Sequence, residues 1–228
     1  MSKNIAIIGG GNLGASIADG LLRSGFCMPQ QLSITRRTVA PLKRFAEAGC
    51  FVSYDNAAAI KRGEVIILAV KPYNYTDILK EINPALNAQQ HLLVSVITSI
   101  SIGQLVQSIE KDVAVVRAMP NTAIAIQQSM TCLTHTGVSE VRLKYVEELF
   151  NHLGRTVIID ENLMDAATVL GACGTAYAMR FIRANIQGGI EIGFDAATAN
   201  LIAAQTIKGA AQLLLEKGTH PEQEIDKV

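Results

Sequence analysis

Gly9, Gly11 and Gly14 stand in G-x-G-x-x-G spacing directly behind the apolar run Ile5-Ala6-Ile7-Ile8. That spacing suits anion binding by the backbone. Gly9 permits a tight turn, Gly11 lets the chain come close to a pyrophosphate, and Gly14 lets a helix pack against the strand before it. Asn12 and Leu13 open that helix, whose free N–H groups complement a phosphate, so they join Gly9 and Gly11 as candidate cofactor contacts. Ala15, Ile17, Ala18, Leu21 and Leu22 then recur at helical spacing. Strand, glycine turn and helix in that order separate the motif from a chance glycine cluster.

The next candidates concern cofactor choice. A strand that binds NAD usually ends in Asp or Glu, about 20 residues past the glycines, to hold the ribose 2′-hydroxyl. Here the second strand, Leu32–Thr35, runs into Thr35-Arg36-Arg37, with no carboxylate. The planar fork of arginine can donate two hydrogen bonds to a 2′-phosphate, which favours NADP(H) over NAD(H). The competing reading makes Arg36 and Arg37 solvated residues at a helix start.

Two further segments leave apolar strands with polar or turn-forming residues. Ala69-Val70-Lys71-Pro72 follows Glu64–Val70, and Met119-Pro120-Asn121-Thr122 follows Val113–Arg117. Ligands of open α/β sheets bind outside the carboxyl ends of the strands. Lys71 can therefore approach a cofactor ribose or be a surface lysine, and the Met119–Asn121 stretch suits a nicotinamide or is a plain turn. Asp160, Glu161 and Asp165 fall where a second domain begins. Glu161 is a candidate substrate-orienting carboxylate, while capping of the helix that starts near Leu163 is the alternative, above all for Asp160 and Asn162. Tyr177 and Arg180 lie three residues apart on one helix.

Other chemistries find no support. Cys27, Cys50, Cys132 and Cys173 form no C-x-x-C, and His91, His135, His152 and His220 have no metal spacing. No Ser-His-Asp or Cys-His arrangement is visible. Balanced charge (20 basic and 20 acidic residues) implies no nucleic-acid face. No signal peptide and no apolar run long enough for a membrane span are present, so the expectation is a cytoplasmic protein with reduced thiols.

Elements that alternate along the chain must position these residues. Strands are expected at Cys50–Val52, Leu92–Ile97, Met130–Leu133 and Thr156–Ile159, besides those above. Helices are expected at Val39–Ala48, Tyr75–Leu86, Ile102–Ile109 and Val138–Leu153, with a short one ending at Ile60. Such alternation predicts an α/β fold, an N-terminal Rossmann domain with a doubly wound parallel sheet over residues 1–160. Residues 161–228 read as an all-helical domain packed tightly on itself or on a second subunit. A long helix spans about Leu163–Ile192, and another runs from an Asp195 cap to Lys217 with Gly218 beyond it. Gly171, Gly174, Gly188 and Gly189 in the first of these suggest close approach of a backbone, a ligand or a helix break.

Taken in order, the motifs resemble the pyrroline-5-carboxylate reductase family. The resemblance rests on Ile8–Gly14, Leu68-Ala69-Val70-Lys71-Pro72, Arg117-Ala118-Met119-Pro120-Asn121-Thr122, Asp165-Ala166 and Gly174-x-Ala176-Tyr177. It continues through Ala203-Ala204-Gln205-Thr206, Gly209-Ala210-Ala211 and His220-Pro221. It implies reduction of the C=N bond of 1-pyrroline-5-carboxylate to L-proline by NAD(P)H, in proline biosynthesis. It implies a helical domain that interleaves with a second subunit, as a homodimer or higher homo-oligomer. By the family pattern Asn56, Val70, Lys71 and Asn121 line the cofactor site. No catalytic acid and no metal are assigned, because a protonated imine already accepts hydride well and positioning supplies most of the catalysis.

The sequence departs from the family in two places. Gly171-Ala172-Cys173-Gly174-Thr175-Ala176-Tyr177 stands where the family has Ser-Gly-Ser-Gly-Pro-Ala-Tyr. After His220-Pro221 the family continues into a glycine-rich Ser/Thr-Pro-x-Gly loop for the substrate carboxylate, whereas this sequence ends at Val228. The expectation is therefore a helical domain incomplete at its C-terminus, or one without that loop. Competing readings are an oxidoreductase of the 6-phosphogluconate or β-hydroxyacid dehydrogenase type, an F420-dependent NADP reductase, and a non-catalytic NADP(H)-binding dimer. The dehydrogenase type needs a lysine on the long helix, where this chain has only Arg180 and Arg183.

Overall fold

The computed structural model describes residues 3–228. The chain divides into two compact units, one ending at Cys173 and one spanning Gly174–Val228.

The strands of the first unit are β1 (Ile5–Ile8), β2 (Leu32–Thr35), β3 (Phe51–Ser53), β4 (Val65–Leu68), β5 (Leu92–Ser95), β6 (Ala114–Met119), β7 (Ser129–Thr136) and β8 (Gly154–Ile158). They form one sheet in the order β3-β2-β1-β4-β5-β6-β7-β8. Pairing is parallel from β3 across to β6. The order reverses between β1 and β4, which makes the carboxyl ends of these strands the ligand crevice of such a sheet.

The sheet differs from the all-parallel expectation at one edge. β7 runs antiparallel to β6, and β8 is parallel to β7. The cause is the short link from Met119 to Ser129, which holds only a 3₁₀ turn at Thr122–Ile126. A parallel return needs a crossover of about a dozen residues or more.

Burial explains why the strands read as unbroken apolar runs. In β1, Ile5 and Ile7 enter one core layer, while Ala6 and Ile8 enter the other. The first layer is covered by α1 (Asn12–Arg23) and α6 (Glu140–Asn151), through Ile17, Leu21, Leu149 and Phe150. The second is covered by α3 (Asn56–Ile60), α4 (Tyr75–Ile82) and α5 (Ile102–Ser108), through Ile60, Leu79 and Leu105. Two expected helices are shortened by proline, which has no N–H to continue a helix. Over 39–48, Ala40–Leu42 is a 3₁₀ turn containing Pro41 before α2 (Lys43–Glu47), and Asn83–Ala85, with Pro84, is a 3₁₀ turn after α4.

The expected continuous helix from Leu163 to Ile192 is broken. α7 (Met164–Ala167) passes into a π turn at Thr168–Ala172, and α8 (Gly174–Glu191) follows. The segment 161–173 packs with the sheet unit, where Met164 is fully buried. In the second unit α8 packs on α9 (Ala196–Lys217), and α10 (Pro221–Ile225) follows. Asp195 caps α9 by accepting the N–H groups of Ala197 and Thr198, both at 3.0 Å, and Gly218 closes it in the left-handed region. Of the four helical glycines, only Gly189 marks a close contact within the chain: a Cβ there would lie 3.2 Å from the Ala199 Cβ. α8 and α9 leave Tyr177, Phe181 and Leu201 exposed.

Candidate cofactor site

The glycine turn has the geometry its spacing implies. Gly9 has φ +108°, and a Cβ on it would lie 2.5 Å from the Ala69 carbonyl oxygen. A Cβ on Gly14 would collide with the Gly9 carbonyl. Gly11 is different: nothing lies within 4 Å of where its Cβ would be. It stands at the N-cap of α1 without a side-chain cap. Open space against an uncapped helix N-terminus fits a phosphate-bearing group. Exposed Asn12 and half-buried Leu13 border that space.

Residues at the end of β2 hold the turn in place. The carbonyl of Thr35 accepts the N–H groups of Gly9 (3.2 Å) and Gly10 (2.6 Å). Arg36 Nη1 donates to the Gly10 carbonyl at 3.2 Å. Thr35 itself is buried, and its hydroxyl donates to Asn56 Oδ1 at 2.6 Å. Asn56 Nδ2 in turn donates to Glu81 Oε1 at 3.1 Å. Thr35 thus reaches a ligand only through the groups it orients, whereas Arg36 and Arg37 are exposed beside the turn.

The remaining residues border the same crevice. Ala69 N donates to the Ile8 carbonyl at 2.8 Å, which fixes the β4 exit beside the Gly9 turn. Ala69, Val70 and Pro72 are half-buried there, and Lys71 is exposed. Beyond β6, Met119 is buried. Asn121 N–H donates to Ser129 Oγ at 3.1 Å, and its Oδ1 accepts the Ala123 N–H at 3.0 Å. Its Nδ2 donates to the Gly171 carbonyl at 3.3 Å. β1 and β6 are three strand spacings apart, or about 14 Å. That span suits a dinucleotide with its pyrophosphate at Gly11 and its ring at Asn121.

Glu161 is turned inward. Its Oε1 accepts from Arg117 Nη1 and from the Ile102 N–H that opens α5, each at 3.0 Å. Arg117, in the middle of β6, is 3% exposed, and Asp165 Oδ1 lies 3.7 Å from its Nη2. In the sequence Arg117 stands out only as part of the Arg117–Thr122 motif. The available signal was a lone cation in the otherwise apolar strand Ala-Val-Val-Arg-Ala-Met. Glu81, on the exposed face of α4, carries no such signal. Tyr177 and Arg180 lie on α8 in the second unit, both exposed. Among the described residues no cluster of His, Cys, Asp and Glu fits a metal ion, and no helix is long and apolar enough to cross a membrane.

Known proteins bear on this geometry. A family model described as NADP oxidoreductase coenzyme F420-dependent matches residues 4–99, and one described as pyrroline-5-carboxylate reductase dimerisation matches residues 161–228. Pyrroline-5-carboxylate reductase 2 of Dictyostelium discoideum is 40% identical over 100% of this chain and 81% of its own length. The chain belongs to the pyrroline-5-carboxylate reductase family. Pyrroline-5-carboxylate reductase 1 of the same organism is 41% identical over 99% of this chain, which spans 43% of that relative's length. A solved Plasmodium falciparum pyrroline carboxylate reductase with NADP bound has the same fold, with TM-score 0.90 and 24% identity over 99% of this chain and 84% of that one. The fold is thus the Rossmann-like oxidoreductase domain of the reductase family followed by its helical dimerisation domain, and homo-oligomerisation follows from the latter.

Proposed function

We propose that this chain reduces 1-pyrroline-5-carboxylate to L-proline with NADPH. The carrying observation is the row of Arg36, Gly11, Val70 and Asn121 beyond the carboxyl ends of the parallel strands β2, β1, β4 and β6, in a chain of the reductase family. The reduced nicotinamide, when bound, supplies a hydride to the carbon of the protonated C=N bond, leaving the oxidised cofactor and the secondary amine of proline. The chain's own residues bind and orient. The N-terminus of α1 and the open face of Gly11 take the pyrophosphate. Asn12 and Leu13 border it, and Thr35 sets the turn from behind. Arg36 and Arg37 take the 2′-phosphate, which favours NADP(H) over NAD(H). Asn56, Ala69, Val70, Lys71 and Pro72 line the ribose side, and Met119 and Asn121 the ring. No side chain is assigned as catalytic acid, since the protonated imine needs none for hydride addition. Glu161 acts on the substrate side by fixing the wall of the site.

The functional division falls after Asp160, with residues 161–228 serving substrate binding and homodimer formation. Exposed Tyr177, Phe181 and Leu201 supply the apolar face for the second copy. The test is NADPH oxidation at 340 nm with 1-pyrroline-5-carboxylate, alongside NADH, for this chain and for Arg37→Ala. Turnover with NADPH, and a loss of NADPH preference in R37A, are expected. NADPH binding without turnover would overturn the reductase reading. An equal effect of R37A on both cofactors would overturn the role of Arg37.

A further inference from the structure

The guanidinium of Arg117 and the side chain of Asn121 reach the same segment, 161–173. Arg117 meets Glu161 and Asp165 at its beginning, and Asn121 meets Gly171 near its end. Glu161 also holds the first N–H of α5. The segment therefore braces the turn at Met119–Asn121 from two points, one of them a charge buried inside a sheet.

Stability alone is a poor reason for that charge. Val115, on the same strand face, is apolar and fully buried, so an apolar side chain fits this environment. Burying a guanidinium carries a desolvation cost that its ion pair often only balances, and apolar replacements of buried pairs are frequently tolerated. Arg117 Nε, Arg117 Nη2 and Glu161 Oε2 find no hydrogen-bond partner among the described residues. What the pair uniquely supplies is direction: a planar fork fixed on β6, two residues before Met119, aimed at one carboxylate oxygen.

We infer that Arg117 is a positioning residue, acting through Glu161 to hold the Met119–Asn121 turn at the angle that orients the nicotinamide. This rests on the reductase reading for its kinetic consequence, though not for its structural one. The phosphate end of the site, at Gly11 beyond β1 and Thr35 on β2, lies three and four strands away from β6 and is independent of the pair.

The test compares Arg117→Met, Arg117→Lys, Glu161→Gln and the unaltered chain in thermal melts, NADPH affinity, turnover and the fluorescence lifetime of bound NADPH. R117M is expected to bind NADPH within about twofold of the unaltered chain, because the phosphate site is intact. Its kcat is expected to fall about 100-fold, the scale of a misplacement of about 1 Å. Bound NADPH should show a shortened lifetime, E161Q should fall between, and R117K should recover part of the loss. A purely structural role would instead lower the melting temperature and the fraction binding NADPH together, leaving kcat per bound cofactor unchanged, and that result overturns the inference. Unchanged turnover and lifetime in R117M overturn it as well. Should R117M fail to fold, E161Q and R117K carry the same comparison. Should the unaltered chain not turn over the imine, the reductase reading falls, while the lifetime of bound NADPH still decides the role of Arg117.

Discussion

Thr35 and Asn56 are joined by a 2.6 Å hydrogen bond from the Thr35 hydroxyl to Asn56 Oδ1, inside the sheet unit and out of reach of solvent. Because Asn56 Nδ2 is also committed, to Glu81, the amide is held in one orientation. Thr35→Val keeps the shape and removes the donor. It is expected to weaken NADPH binding about tenfold and to cost about 1–2 kcal/mol of stability, the price of an orphaned buried acceptor. Thr35→Ser should restore affinity. Fluorescence titration with NADPH and chemical denaturation check both.

Gly9 and Gly11 belong to one motif yet should fail differently. Gly9→Ala forces a Cβ against the Ala69 carbonyl at φ +108°, so unfolding free energy should fall by about 1–3 kcal/mol or more. Gly11→Ala meets nothing within 4 Å, so its stability should stay within about 1 kcal/mol of the original. The new methyl instead occupies the phosphate approach, and NADPH affinity should drop about tenfold or more. A stable Gly9→Ala, or a Gly11→Ala with full affinity, would contradict the assignment.

His91 predicts a pH dependence away from the cofactor site. It is buried, and its Nδ1 accepts the Asn87 N–H at 3.0 Å. Arg142 donates to the His91 carbonyl, and Lys111 to that of Leu86. Burial first, then the charges of Lys111 and Arg142, push its pKa down. The unfolded chain therefore binds the proton more readily than the folded one. This contribution to stability is full above about pH 6.5 and is lost as pH falls through the lower folded value. Denaturation of His91→Gln between pH 7 and 5 should show a flatter dependence than the unaltered chain.

Burial pushes the Cys27 thiol up to about 11, with Cys50 adding to the shift, and raises Cys50 too. At pH 8 neither thiol should react with iodoacetamide in the folded protein, and both should react in urea. Rapid labelling of Cys27 in the native state, read by peptide mass, would contradict this.

The legible parts of this fold are those whose signals are local. The β1–Gly9–Gly11–α1 unit is written in consecutive residues, and the Asp195 cap and Gly218 stop bracket α9 as their types demand. The direction of β7 is not a property of its own residues. It follows from the short link after Met119, a length constraint that a strand-by-strand reading passes over. A break in the 163–192 helix is one of three readings its four glycines leave open, and nothing local says where it falls or that 161–173 packs on the sheet unit. At the site, spacing found the glycines and the strand exits. It did not reveal that the Thr35 side chain points inward, or that Arg117 meets Glu161 across 44 positions of sequence.

The Gly9 and Gly10 N–H groups bind the carbonyl of Thr35, an atom that any residue at position 35 would carry. These two bonds need no particular side chain at position 35, and of the two arginines that follow it Arg36 also reaches back to the turn, through the Gly10 carbonyl. On the proposed reading, substitutions at Arg37 can drift, generation by generation, toward one dinucleotide or the other while both N–H bonds to the Thr35 carbonyl persist. Under that assignment preference and grip are separately heritable at position 37, and the choice of cofactor becomes an evolutionary variable carried on a backbone mount.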